Sequence, residues 1–392
     1  MSATKSARTT KAAKAAKDPH DSLKMLKVAI VHDWLIGGGA ERVVEELHHM
    51  FPGAPIYTSY ATREWQKKLH GMVVTGPLQR WPFRKLRKFL PVLRIWWFSR
   101  LKLEGYDLVI SSSGAEAKGV RVPEGTLHVN YCHAPTHYYW SRYDEYMKHP
   151  GFGSFDSLAR FGLRILVGPL RKWDYQAAQR PHYMIANSTH IKDEIKKYYD
   201  RKAEVIYPPV NVDRFKTKQQ SRRYGYVITG RQTPYKRVDL AVAACSQLKL
   251  PLKVIGNGPD HSRLTAMAGP TVRFLTKVTD QELPGHFQTA EAFLFPGIDD
   301  FGITPVEAMA AGTPVIAYQA GGALDYVKEG ETGTFFKKQT VESLVEALRA
   351  FDSTAYDHKK IARGADKFAA KHFAGKMEKA LAKYMHSTKK RG

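Results

Sequence analysis

Residues 294–317 read LFPGIDDFGITPVEAMAAGTPVIA. An apolar run ends at Phe295, a loop with Gly297, Asp299, Asp300 and Gly302 follows, and a helical stretch then carries Glu307. Asp299 and Glu307 stand at the mouth of one strand–loop–helix unit, so both carboxylates can address a single ligand. Backbone N–H groups over residues 301–304 open that helix. Such groups lack intrahelical acceptors and meet anions or hydroxyls. A second constellation, TGRQTPYKRVDL (229–240), sets Arg231 and Lys236 around a strand-to-helix turn with Pro234 between them. A guanidinium grips two oxygens and an ammonium acts as a point charge, a combination suited to a diphosphate. A third, KVAIVHD followed by LIGGGAE, puts Gly37, Gly38 and Gly39 between a strand and a helix, baring N–H groups at a positive helix start. Its spacing is not G-x-G-x-x-G, and Tyr57-Thr58-Ser59 stand about 20 residues on, where a dinucleotide site needs an acid. No Gly-Lys-Ser/Thr follows, so it is not a P-loop either. His133 comes directly after the apparent strand LHVNY and Cys132, at the strand end where α/β sheets gather ligands. Cys132 reads as a small buried side chain rather than a nucleophile. Each motif alone also has a plain reading, as a tight turn, a solvated cation or a core histidine.

The elements that position these residues follow from periodicity. Short apolar runs at 27–33, 56–58, 72–75, 106–111, 127–131, 182–187 and 204–207 alternate with helical stretches, which argues for a parallel sheet covered on both faces. Pro208-Pro209 makes a stiff joint. Beyond it the alternation starts afresh, with runs at 226–229, 252–255, 272–275, 292–295 and 314–317. The expected architecture is α/β, with two Rossmann-like doubly wound domains facing a cleft. The expected divisions are a disordered basic tail over 1–24, a first domain over 25–207, a second over 208–367, and a C-terminal helix over 368–392 that packs back on the first domain.

Composition limits the function classes. The chain has 392 residues, 43% hydrophobic and 25% charged, an ordinary globular balance. Its two cysteines, Cys132 and Cys245, form no C-x-x-C pair, which removes a disulfide framework and a cysteine-built zinc site. The formal charge of +24 draws anionic partners. Neither zinc-finger spacing nor an RNP-type aromatic signature accompanies it, so nucleic acid is not the expected partner. No run of 18 apolar residues occurs, and no membrane-spanning helix is expected. One stretch does read as interfacial. Residues 78–103, LQRWPFRKLRKFLPVLRIWWFSRLKL, hold no acid and interleave Arg84, Lys85, Arg87 and Lys88 with rings such as Trp96 and Trp97. Cations beside Trp and Phe suit an anionic membrane surface.

Taken in order, VHDWLIGGGAERVVEEL, YDLVISSS, NYCHAPTHYYW, VIYPPVNVDRF, GRQTPYKRVDL and DDFGITPVEAMAAGTPVIA resemble the retaining glycosyltransferases of the GT-B fold, over about residues 26–350. The resemblance implies a nucleotide-sugar donor lying mainly against the second domain. Arg231 and Lys236 match cations that neutralise the departing diphosphate. Glu307 matches the carboxylate that holds the ribose hydroxyls. Asp299 stands where the family's Glu-x7-Glu motif has its first Glu, facing the donor sugar. The backbone of Phe301, Gly302 and Ile303 matches the loop on the sugar hydroxyls, and Val278 falls in the loop beside the base. Gly38 and Gly39 match the glycine loop that approaches the diphosphate. His133 matches the family histidine near the sugar and acceptor.

The sequence lacks the D-x-D through which metal-dependent transferases hold the diphosphate, so the resemblance implies neither metal nor other cofactor. YCHAPTHYYW and PYKRVDL look most like mannosyltransferases of surface polysaccharide assembly that use GDP-mannose; a UDP-sugar is the alternative donor. The expected acceptor is a membrane-associated glycan or lipid-linked sugar. The expected location is cytoplasmic, peripheral to the inner face of the plasma membrane. A non-catalytic membrane- or nucleic-acid-binding protein on the same fold is the alternative of another class.

Overall fold

A computed structural model describes residues 23, 25–86, 91–148, 153–216 and 222–389. Of the expected basic tail, residues 1–22 and 24 lie outside the described residues. Leu23 is buried in the first domain's core.

The first sheet contains β1 (Val28–His32), β2 (Ile56–Thr58), β3 (Val73–Thr75), β4 (Leu108–Ser113), β5 (Leu127–Cys132), β6 (Tyr183–Ala186) and β7 (Glu204–Val205), ordered β3-β2-β1-β4-β5-β6-β7. All neighbours are parallel. A parallel sheet is covered on both faces, and β1, β4 and β5 are buried at every position. Their polar side chains satisfy one another: His128 Nε2 meets Ser111 Oγ at 2.8 Å, and Asn130 Nδ2 donates to the Ser111 carbonyl at 2.9 Å. The second sheet contains β8 (Tyr226–Thr229), β9 (Leu252–Ile255), β10 (Val272–Leu275), β11 (Ala292–Phe295), β12 (Val315–Tyr318) and β13 (Gly333–Phe336), ordered β10-β9-β8-β11-β12-β13 and again parallel.

Both orders reverse direction once, between β1 and β4 in the first sheet and between β8 and β11 in the second. Doubly wound sheets open a ligand crevice beyond the strand ends at that reversal. The loops leaving it are 33–39 and 114–117 in one domain, 230–237 and 296–302 in the other. These are the loops that carry the motifs.

Helices α1 (Gly39–Met50), α2 (Pro91–Ser99), α3 (Asp156–Ala178) and α4 (Thr189–Tyr199) belong to the first domain; α5 (Val238–Gln247) and α6 (Ile303–Ala310) belong to the second. The chain passes between domains twice, side by side: the Val210 N–H donates to the Phe368 carbonyl at 2.9 Å. After the second crossing, α7 (Ala370–Lys389) returns to the first domain. Phe373, Met377, Leu381 and Tyr384 are buried in its core. Each such side chain contributes about 1.5–3 kcal/mol relative to exposure. The Tyr384 ring also stacks on Tyr183 at 4.0 Å, and its hydroxyl donates to Glu204 at 3.0 Å.

The basic–aromatic stretch is only partly exposed. Arg87 and Lys88 lie outside the described residues, as does the Lys85 side chain; Arg84 and Trp96 are exposed. Trp97 corrects the expectation. Its ring lies 2.8 Å from where a Cβ on Gly76 would stand, and it packs beside Phe98 and Val109. Successive helical residues point about 100° apart, so Trp96 and Trp97 cannot both face outward. Arg94 also turns inward, donating from Nε and Nη2 to Glu116 at 2.9 and 2.8 Å. Among the described residues, no helix is long and apolar enough to cross a membrane.

Candidate active site

The β8–α5 turn is built to hold two cations at a strand end. Gly230 and Arg237 take positive φ, of 142° and 49°, and a single 3₁₀ turn, Pro234–Lys236, lies between them. Beneath it Gln232 is fully buried. Its amide donates to the Gly256 carbonyl at 2.8 Å, and its Oε1 meets His261 Nδ1 at 2.8 Å. On this base Arg231 is exposed, with no ion pair or side-chain hydrogen bond among the described residues. Lys236 is partly buried and its ammonium donates to Asp299 Oδ2. Burial disfavours its charge, but the Asp299 carboxylate outweighs that and raises the lysine's pKa above its ordinary value.

The β11–α6 loop lies directly on this turn. A Cβ on Gly297 would fall 2.9 Å from the Lys236 Cα, so glycine is what lets the two loops meet. Gly302, at φ 85°, caps α6. Asp299 Oδ1 is buried without a partner, an acceptor already desolvated and unused. Glu307 is buried on α6, and its Oε1 takes a 2.6 Å bond from Arg42 Nη1 on α1 of the opposite domain. The Phe301 ring is in the second domain's core beside Tyr326 and Phe368, and its backbone packs against Gly322. Val278 is likewise half-buried against that core. Gly39 faces Ile303 across the cleft, 2.9 Å from where a Cβ would stand to the Ile303 Cδ1. The glycine loop is less bare than its sequence implied. The buried Glu41 carboxylate accepts from the N–H groups of Ile36 and Gly37, at 3.2 and 2.9 Å.

From the first domain, His133 reaches Ser112 Oγ with Nε2 at 2.7 Å, and its carbonyl accepts from Asn187 at 2.9 Å. Burial, with His32 nearby, pulls its pKa down to about 3. The ring is therefore neutral near pH 7, a hydrogen-bonding group rather than a charged one. Asp300 is the meeting point of the domains. His137 Nε2 lies 2.9 Å from its Oδ2, Arg142 Nη2 lies 3.6 Å from its Oδ1, and Ser188 donates to its backbone carbonyl. Burial opposes ionisation of Asp300, but His137 and Arg142 hold its carboxyl well below the usual range. Arg142 also donates to the Ile298 carbonyl at 3.2 Å and stands 4.3 Å over the Tyr235 ring.

The structure thus brings Arg231, Lys236, Asp299, Glu307 and the 301–303 backbone to one switch point, with Gly38 and Gly39 opposite. Sequence reasoning missed Arg42, His137 and Arg142. Arg42 and His137 stand inside motifs that were noticed (VHDWLIGGGAERVVEEL and NYCHAPTHYYW), and Arg142 lies two residues beyond the second.

Two Rossmann-like domains, joined by a double crossing and facing each other through these loops, define a GT-B architecture. A profile described as Glycosyltransferase Family 4 matches residues 37–214, and one described as Glycosyl transferases group 1 matches residues 210–368. The chain belongs to the GT-B glycosyltransferases that carry these two domains. It is 29% identical over 203 residues to the D-inositol 3-phosphate glycosyltransferase of Streptomyces avermitilis, covering 43% of this chain and 44% of that one. It is 30% identical over 174 residues to a GDP-mannose-dependent alpha-(1-6)-phosphatidylinositol monomannoside mannosyltransferase of Mycolicibacterium smegmatis, covering 37% and 46%. The chain thus spans less than half the length of these curated relatives. Among solved structures, Anabaena HepE in complex with UDP superposes with a TM-score of 0.64 at 18% identity, over 92% of this chain and 100% of that one, a likeness of fold.

Proposed function

We propose that the cleft transfers a hexose from a nucleotide-sugar to a membrane-associated glycan or lipid-linked acceptor, retaining anomeric configuration and using no metal. The observation that carries the reading is the pairing at the β8/β11 switch point: an Arg231 with no ion pair among the described residues beside a Lys236 paired with Asp299. As the sugar–phosphate bond breaks, negative charge gathers on the leaving diphosphate and positive charge on the sugar ring. Arg231 and Lys236 stabilise the first without reorganising. The donor phosphates take over Lys236, and Asp299 turns to the sugar with the acceptor oxygen it already leaves unused. Glu307 takes the ribose hydroxyls in place of Arg42. Neutral His133 offers a hydrogen bond at the sugar, and the Asp300 contacts close the domains and keep water out.

Mannose from GDP-mannose is the favoured donor; the M. smegmatis relative's name supports it. A UDP-sugar is the second reading, since HepE holds UDP-glucose in one structure. The acceptor lies at the inner face of a membrane that the protein meets peripherally, with the exposed Arg84 and Trp96 in contact. The test is incubation with a panel of nucleotide sugars and a crude lipid acceptor, following released nucleotide and the product's anomeric proton by NMR. Release from one donor class with the donor's own anomeric configuration in the product supports the reading. Absence of turnover with every donor, or an inverted product, sinks it.

A further inference from the structure

Helix α3 has an outward strip whose chemistry changes halfway along. Leu170, Asp174, Ala177 and Ala178 face inward and are buried. The opposite strip runs through Phe155 just before the helix, then Leu158, Phe161 and Ile165 at spacings of three and four, and two turns on through Lys172 and Tyr175. In the second half it is polar or amphipathic, as a face in water should be. In the first half Phe155, Leu158, Phe161 and Ile165 are 60%, 67%, 64% and 57% exposed. Single exposed apolar side chains are ordinary, but a contiguous strip of four marks a contact surface.

The surrounding charge says what covers it. From residue 155 to 173 the chain carries Arg160, Arg164, Arg171 and Lys172 against one acid, Asp156 at the helix start. A second copy would bring the same cations and a formal charge of +24 against this one, so like-charge repulsion opposes self-association through the strip. The fold adds a second observation. Trp173 and Ala177 of α3 pack on Gly119, and Arg94 of α2 is bound to Glu116 of the same short segment. Helices α2 and α3 therefore share one support, and both present apolar residues outward, with Val92 and Trp96 exposed on α2.

We infer that the first half of α3 lies in the interface of an anionic lipid bilayer, its strip entering about 5–10 Å and its arginines meeting headgroup phosphates. This rests on the membrane part of the proposed function and names the element that enters the lipid; it does not depend on the donor. The experiment uses the full chain and vesicles of phosphatidylcholine with or without phosphatidylglycerol. It compares wild type with Leu158→Gln/Phe161→Gln/Ile165→Gln, which keeps good helix formers, and with Arg84→Ser/Lys85→Ser/Arg87→Ser/Lys88→Ser. We expect co-sedimentation with the anionic vesicles and a loss of roughly tenfold or more in the triple variant, with an unchanged melting temperature. Unchanged binding of the triple variant overturns the inference and moves the contact to the basic segment if the quadruple variant loses it. Absence of lipid binding, with a wild-type dimer that the triple variant dissociates, overturns it in favour of a second copy. Release of nucleotide without vesicles is read on the same samples. If no donor turns over while the strip still governs vesicle binding, the transfer reading fails and this one stands.

Discussion

Two sets of ion pairs divide this molecule. In the first domain, Lys118 and Asp174 are fully buried 2.6 Å apart. Every polar atom of the pair is used: Lys118 also donates to the Thr136 hydroxyl at 2.9 Å, and Asp174 accepts from Thr136, Trp140 and Tyr199 at 2.7–2.8 Å. In the cleft, the cations of Lys236–Asp299 and Arg42–Glu307 are 22% and 35% exposed, and Asp299 keeps an oxygen unused. The first kind is a closed network that can only be lost. The second is a set of charges held in place until something else takes them. Burial and complete satisfaction thus separate charges that serve the fold from charges that, in the function we propose, serve a ligand.

The largest expected effect falls on the closed network. Lys118→Met leaves the Asp174 charge buried and unpaired, and should cost about 3–5 kcal/mol of stability, read as a drop in thermal or urea midpoint. If Lys118→Met melts like wild type, the division between the two sets is broken. In the cleft, Asp299→Ala should lose roughly ten- to a hundredfold in turnover, the worth of one hydrogen bond to a charged group. Asp299→Glu should keep activity, and both variants should melt near wild type. A neutral Asp299→Ala would move the sugar contact to Asp300 or the backbone.

The pH dependence of stability sharpens the same contrast. Burial holds the His128 pKa down at about 3, against 6.5 for a free imidazole. Its folded-state pKa is depressed, so its contribution is present above pH 6.5 and is lost as pH falls toward 3. At pH 5 the cost is about 2 kcal/mol for His128, and His133, also held down at about 3, adds a similar amount; together they are measurable as a lower urea midpoint than at pH 7.5. An unchanged midpoint would mean that His128 and His133 are protonated in the fold. The smallest expected effect is that of chelation. Excess EDTA should leave turnover unchanged, because Arg231 and Lys236 supply the cationic charge; loss restored by magnesium or manganese would contradict this.

Much of the scaffold was legible from periodicity. The apolar runs marked every strand but β13, whose Gly333-Thr334 start breaks the apolar pattern, and Pro208-Pro209 marked the first crossing. Glycines flagged the loops because close approach, as of Gly297 to Lys236, leaves a compositional trace. The partners of the site residues left none. Arg42 meets Glu307 across 265 positions of sequence, and His137 meets Asp300 across 163, so no local pattern encodes either contact. Composition also failed where phase decides. Arg94 and Trp97 belong to a basic–aromatic stretch, yet their helical positions turn them inward. The apolar residues of α3 show the converse, since a helical strip of Leu, Phe and Ile predicts burial and here stands in the open.

The central claim is that the cations of the β8–α5 turn hold the leaving diphosphate and are dispensable to the fold. Its most direct test is the turnover and melting temperature of Arg231→Ala and Lys236→Ala, measured side by side with the best donor from the nucleotide-sugar panel. The account predicts that each variant loses about 3–4 kcal/mol of barrier lowering, roughly a hundred- to a thousandfold in rate, while melting close to wild type. Near-wild-type turnover in either variant would contradict it.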